Sequence, residues 1–110
     1  MEHRRPEIHV CYSRQNKEYV KDILAGIEEE GLFSYSYETK DCDAITSAYE
    51  ASQSSLLGVG ISVANSHIVL HVSNLKVGEP LLKIDIADRS SFRVFGNNAA
   101  RYVKGMPFKL

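Results

Sequence analysis

Three consecutive glutamates, Glu28, Glu29 and Glu30, stand directly before Gly31 in the stretch AGIEEEGLF, Ala25 to Phe33. The carbonyl end of a helix carries partial negative charge, so an exposed acid in a last turn costs roughly 0.3–1 kcal/mol. Carboxylates are oxygen ligands, and an outward one flanked by two others suits a hard divalent cation, magnesium or calcium, completed by a partner. With about 100° of rotation per helical residue and Ile27 near the centre of the buried face, Glu29 points outward. Glu28 sits on a flank and Glu30 returns toward the core edge. A solvated acidic face is the competing reading of the same run.

Other residue types with chemical potential are less well spaced. His67 and His71 are four apart, which on a helix would suit one metal ion. On a strand they point the same way but lie roughly 13 Å apart, too far to share a first-row ion. Half-buried strand histidines are the expectation, and His3 and His9 offer no better geometry. Cys11 and Cys42 have no CxxC spacing and no histidine placed beside them by any motif, so both are read as free, structural thiols, Cys11 in a strand. The run GVGISV (Gly58 to Val63) lacks the third small residue of a dinucleotide fingerprint, and no helix opens after it. Its glycines are better explained by close approach of a neighbouring backbone or helix.

The elements that position these residues follow from periodicity. Glu7 to Ser13 is short, β-rich and bounded by Pro6, which predicts a first strand. From Lys17 to Glu30, Val20, Ile23, Leu24 and Ile27 fall on one helical face, and Gly31 is the stop. Leu32 to Thr39 alternates aromatic residues with serines, as a second strand does. Asp43 caps a helix running to about Ser54, with Ala44, Ile45, Ala48 and Ala51 inward. Leu56 to Val63 reads as a central strand buried on both faces, and ANS turns the chain into an antiparallel neighbour, HIVLHV. LLKIDI is a short strand or extended edge, and Asp88 to Gly105 a terminal helix that Gly96-Asn97-Asn98 could split. That helix packs on the sheet through Ala99 and Val103, leaving Arg101 and Lys104 to solvent or a partner. The alternation predicts a single α/β domain over residues 1–110, a layered sandwich of a mostly parallel mixed sheet flanked by helices.

Composition narrows the classes. The chain has 110 residues, 44% of them hydrophobic and 25% charged, with a net charge of −1, which fits a soluble globular domain. Only Arg4 and Arg5 stand together near the start, so there is no basic footprint for nucleic acid. No apolar run approaches the roughly 20 residues that cross a bilayer, and no secretory signal opens the chain. Neither a nucleic-acid nor a membrane partner is expected, and the location implied is cytoplasmic.

The motifs taken in order resemble a known family. A first strand, a helix ending in G-[IL]-E-E-x-G, the SSLLGVGIS strand and a terminal G-x-N-A-x-x-x-V-K segment (Gly96 to Lys104) are similar to the small subunit of diol and glycerol dehydratase reactivating factors. The resemblance spans nearly the whole chain. It implies a fold like the medium subunit of adenosylcobalamin-dependent dehydratases and no catalytic site of the chain's own. It also implies a large, chaperone-like ATPase partner and a subunit-swapping role. In that role the small subunit competes for the surface of the dehydratase's medium subunit, so that damaged cobalamin escapes, in the cytoplasm or in a bacterial microcompartment.

The resemblance further implies that the second acid of the family's E-E pair, here Glu29, contributes to a divalent metal at the large-subunit contact. No cofactor is expected on the chain alone. Glu28, Glu30, Arg101 and Lys104 are expected at the same contact. Ala25 departs from the aromatic residue that often precedes the glycine. Three acids at one helix end repel each other, which implies a free chain somewhat strained until a cation and a basic partner arrive. Two other classes stand beside this one. The first is a divergent dehydratase medium subunit, against which the lack of additional sequence before Pro6 is an expectation. The second is an unrelated small α/β ligand-binding module, for which no acid cluster at the strand ends speaks.

Overall fold

The computed structural model describes residues 5–40 and 43–109. Its strands are β1 (Glu7–Tyr12), β2 (Phe33–Glu38), β3 (Val59–Ala64), β4 (His67–Val72) and β5 (Leu82–Asp85), and its helices α1 (Val20–Glu29), α2 (Ala44–Ser54) and α3 (Phe92–Lys104). The strands make one sheet in the order β2-β1-β3-β4-β5. β1 runs parallel to β2 and β3, whereas β4 is antiparallel to β3 and β5. The sheet is therefore mixed, with helices on both faces.

β1 and β3 lie inside the sheet and are buried almost throughout, the polar Glu7, His9 and Ser62 included. On one face Ile8, Val10, Ile61, Val63, Ile68 and Leu70 meet Val20, Ile23 and Ile27 of α1 and Phe92, Phe95 and Ala99 of α3. α2 covers the other face, where Ala44 and Ala48 pack on Ala64 and Val69. Small residues let that helix lie almost on the sheet backbone, since a Cβ at Gly60 would meet the Ala51 carbonyl carbon at 2.7 Å. The approach expected of that glycine is thus made by α2. At the start of α2, Asp43 accepts from the Ile45 amide at 3.2 Å and the Thr46 hydroxyl at 2.6 Å, and the Thr46 bond leads in holding its carboxyl below the ordinary value. The turn between β3 and β4 is a two-residue hairpin with Asn65 at φ 55°, a conformation asparagine tolerates better than most residues.

Four expectations need correction. The first helix begins at Val20, not Lys17, because Arg14–Tyr19 winds as a 3-10 helix. There the buried Asn16 amide donates to the Ser13 hydroxyl at 3.0 Å and the Asn65 carbonyl at 3.3 Å, tying the segment to the strand ends. The third strand starts at Val59, and Leu56 is 54% exposed. The Ser55 hydroxyl donates to the Glu7 carbonyl at 2.6 Å and accepts from the Leu57 amide at 3.1 Å, holding a turn where a strand was expected. His71 is fully buried and not half-buried, with Nε2 2.9 Å from the Val77 carbonyl and its ring edge-on to Tyr49. The terminal helix is unbroken across Gly96-Asn97-Asn98.

That last glycine has a packing reason. A Cβ on Gly96 would press into the Ile23 carbonyl and lie 3.1 Å from the Ile27 amide, and one on Gly26 would press into the Arg93 carbonyl and lie 2.9 Å from the Asn97 amide. α1 and α3 therefore cross glycine against glycine, backbone on backbone. Gly96→Ala gains helix propensity but overpacks this crossing, and a net loss of about 1–3 kcal/mol is expected. Gly78→Ala, with open space around it, is the control that leaves urea denaturation nearly unchanged.

Candidate functional site

The close crossing brings a stripe of α3 alongside the last turn of α1. Arg93, Asn97, Arg101 and Lys104 repeat at intervals of four, four and three, which is one helical face. Glu29 is gripped first. Its Oε2 accepts from Arg93 Nε at 2.8 Å and Nη2 at 2.7 Å, and its Oε1 accepts from Asn97 Nδ2 at 3.2 Å. The same Asn97 amide donates to the Gly26 carbonyl at 2.8 Å, and its oxygen lies 3.4 Å from Lys109 Nζ. Glu30 is held independently, by Arg101 Nε at 3.1 Å and Lys104 Nζ at 3.0 Å. Lys104 also donates to the Glu30 backbone carbonyl at 2.7 Å, placing a cation where the helix dipole is negative.

The acidic turn is thus compensated within the chain, and the expectation of a strained free subunit is corrected. The hydrogen bond from Arg93, then that from Asn97, holds the Glu29 carboxyl below its ordinary 4.5. The hydrogen bond from Lys104 leads the same effect at Glu30, against a desolvation that raises it. The geometric expectation for Glu30 holds, its side chain being only 12% exposed. Glu29 is not aimed straight out: it lies along the α1–α3 junction, 42% exposed. Glu28 is exposed and pairs with no described residue. Arg101 and Lys104 do not simply face solvent, since both turn inward to Glu30.

The C-terminal tail completes the site. After Gly105 ends α3 with φ 69°, the chain folds back, and the Asn98 side chain accepts from the Lys109 amide at 2.6 Å and donates to the Lys109 carbonyl at 3.1 Å. Lys109 thereby adds positive charge near Glu29. Arg93, Asn97 and Lys109 were missed by sequence reading. Their signal was the Arg93-Asn97-Arg101 spacing, complementary in charge to the glutamates, but nothing local said that the two helices meet. The apolar surroundings were also hidden. Leu56, Val77 and Met106 are all exposed large apolar side chains, at or beside the end of the sheet where β1, β2 and β3 begin and α1 and α3 finish.

Among the described residues the other candidates form no site. Cys11 is buried, its Sγ 3.6 Å from the Ser47 carbonyl it donates to. Cys42 and His3 lie outside the described residues. His67 and His71 sit at opposite ends of β4. Among the described residues no group of three or more His, Cys, Asp or Glu side chains could hold a metal ion, and no helix is long and apolar enough to cross a membrane.

Comparison with known proteins agrees with this architecture. The family of the dehydratase medium subunit matches residues 5–109. The propanediol dehydratase-reactivating factor small subunit of Citrobacter freundii is 42% identical over 89 residues, 80% of this chain and 77% of that one. The diol dehydratase-reactivating factor small subunit of Klebsiella michiganensis is 39% identical over 90 residues, 81% of this chain and 72% of that one. Among solved structures, a diol dehydratase-reactivating factor complexed with ADP and Mg2+ superposes with a TM-score of 0.90 at 34% identity, covering 96% of this chain and 99% of its counterpart. A glycerol dehydratase reactivase does so with a TM-score of 0.89 at 27% identity, over 96% and 98%.

Both paired carboxyls titrate below 4.5 in the folded chain. The stability they contribute is complete above that value and is lost as pH falls through their lower folded-state values. Urea denaturation of the Glu29→Gln, Glu30→Gln double variant should show lower stability than wild type at neutral pH. Its further loss below pH 4.5 should be shallower. Asn97→Ala, which strips the buried Gly26 carbonyl of its donor, should cost about 1–3 kcal/mol in the same measurement.

Proposed function

The chain belongs to the dehydratase medium-subunit family, and from its kinship with reactivating-factor small subunits we propose that it is the non-catalytic small subunit of a diol or glycerol dehydratase reactivase. The observation that carries the reading is the identity of about two residues in five to curated small subunits across four-fifths of the chain, joined to superposition on two reactivase structures. In this reading the partner is a large subunit that binds and hydrolyses ATP. The small subunit leaves that partner and competes for the dehydratase surface otherwise held by the medium subunit, which a shared fold makes sterically plausible. Damaged cobalamin then escapes, in the cytoplasm or in a bacterial microcompartment.

The contact with the large subunit is assigned to the acidic turn and its surroundings. Glu28 is free to meet a basic surface, while Leu56, Val77 and Met106 supply apolar area. Glu30, Arg101 and Lys104 form a pre-paired rim, worth more as orientation than as affinity. Glu29 is the residue that would hold a divalent cation there. Its exposed carboxylate, steadied by Asn97 and Arg93, fits the part of one oxygen ligand, and the partner must supply the others because no acid cluster is gathered among the described residues. The cation would bridge negative groups of two subunits.

Native mass spectrometry of the chain with the large subunit, with and without magnesium, tests the assignment. A magnesium-dependent heteromer is expected, weakened about tenfold or more by Glu29→Gln. A chain that instead assembles only with the dehydratase's other subunits, restoring turnover and retaining cobalamin, would be a dehydratase medium subunit. Binding to neither protein would overturn both readings.

A further inference from the structure

The two edges of the sheet are guarded unequally. β5 is a four-residue edge that carries Lys83 and Asp85 and follows Pro80, features that discourage pairing with another strand. β2 has six residues, no proline, and no charge before its last residue, Glu38. Its register with β1 and the bond from the Thr39 amide to the Tyr12 carbonyl, 2.8 Å, fix which backbone groups are spent. In a parallel ladder that bond commits the odd-numbered residues of β2 to β1. The amides and carbonyls of Ser34, Ser36 and Glu38 face away from the sheet.

The side chains of this edge are also divided. Phe33, Tyr35 and Tyr37 share a face with Glu7, His9 and Cys11, their register partners. Tyr35 and Tyr37 are half-buried against His9, with ring centroids 5.3 and 5.8 Å away. Phe33 is 73% exposed, more than any other large apolar side chain described. Ser34, Ser36 and Glu38 lie on the opposite face.

We propose that β2 pairs antiparallel with β2 of a second copy of this chain about a two-fold axis at Ser36, continuing the sheet through both subunits. In this register the strand complements itself from Phe33 to Thr39. Ser36 meets its own copy, and Ser34 meets Glu38, a hydroxyl donor opposite a carboxylate, so that all three outward residues enter hydrogen-bonded pairs. Tyr35 then stands opposite Tyr37 in the closer, non-hydrogen-bonded positions, where cross-strand aromatic pairs are most favourable. Phe33 falls opposite Thr39, extending an aromatic strip that covers the ring now left to water. Moving the axis to Tyr37 would leave a tyrosine opposite Thr39 and Phe33 beyond the paired strand, and moving it to Tyr35 would set the Glu38 carboxylate opposite Leu32 in place of a hydroxyl donor. The contact uses the β2 edge and leaves the Glu29 turn, on the helical side, available to another protein.

Hydrogen exchange read by NMR, together with sedimentation of the isolated chain over a concentration series to the millimolar range, tests this directly. A dimer is expected to accumulate with concentration. The amides of Ser34, Ser36 and Glu38 should slow in step with it, while those of Tyr35 and Tyr37, already bound to β1, stay protected throughout. Ser36→Lys sets two like charges opposite each other at an exposed position and should weaken the dimer several-fold while leaving the thermal unfolding of the monomer unchanged. Tyr35→Ser, which removes the aromatic pair, should weaken the dimer as well, with a loss of monomer stability from its contact with His9. A chain that stays monomeric to millimolar concentration overturns the proposal. So does a dimer whose outward β2 amides exchange freely, or one that both substitutions leave intact. Protection of those amides only on addition of a different protein would show a strand acceptor for that partner, and the second-copy proposal fails.

Discussion

The contact between Gly26 and Gly96 governs the geometry of the acidic turn. Each glycine lies where a β-carbon would strike a backbone carbonyl of the other helix, so α1 and α3 approach more closely than side-chain packing normally allows. Only at that distance do the short reach of Asn97 to the Gly26 carbonyl and the paired donors of Arg93 on Glu29 become possible. Widening the crossing by one methyl group would loosen every polar contact between the two helices. The charge pattern of the site is therefore a consequence of a steric fact.

That pattern bears on how an acidic helix end can serve recognition. Left alone, three carboxylates against the helix dipole would destabilise α1. α3 returns two cations to Glu30 and one to Glu29, so the turn is presented in a fixed arrangement and not as a mobile acidic fringe. The compensation is graded by burial. Glu30, nearly covered, is held by two ion pairs and has a structural part, whereas Glu29 keeps a solvent-facing side chain and Glu28 stays open. An ion pair at such exposure contributes little stability and is readily exchanged for another partner, which suits the engagement and release proposed for this surface.

Much of the fold was legible because its signals are local. The Asp43 cap, the Ala44-Ala48-Ala51 spacing, the ANS hairpin and the stop at Gly31 each act within a few residues, and each falls where the sequence placed it. The misreadings have one cause in common. Nothing within the first helix announces that Asn16 will be drawn to Asn65, nothing in β4 that Val77 returns to cover His71, and nothing near Gly96 that Gly26 waits opposite. These contacts join residues far apart in the chain, and the pairing of helices is what periodicity cannot supply. For the same reason Glu29 was recognised as the acid of interest while its direction and its Arg93 partner were not.

On the function proposed above, this chain meets a large ATPase subunit through the turn at the end of α1 and the helix beside it. Hydrogen-exchange mass spectrometry of the chain, alone and with that subunit in the presence of magnesium, reads that contact out along the sequence. Protection concentrated in peptides covering Gly26 to Phe33 and Phe92 to Lys109 is the predicted result. Protection confined to α2, or to the loops after β1 and β3 at the opposite end of the sheet, would rule that contact out.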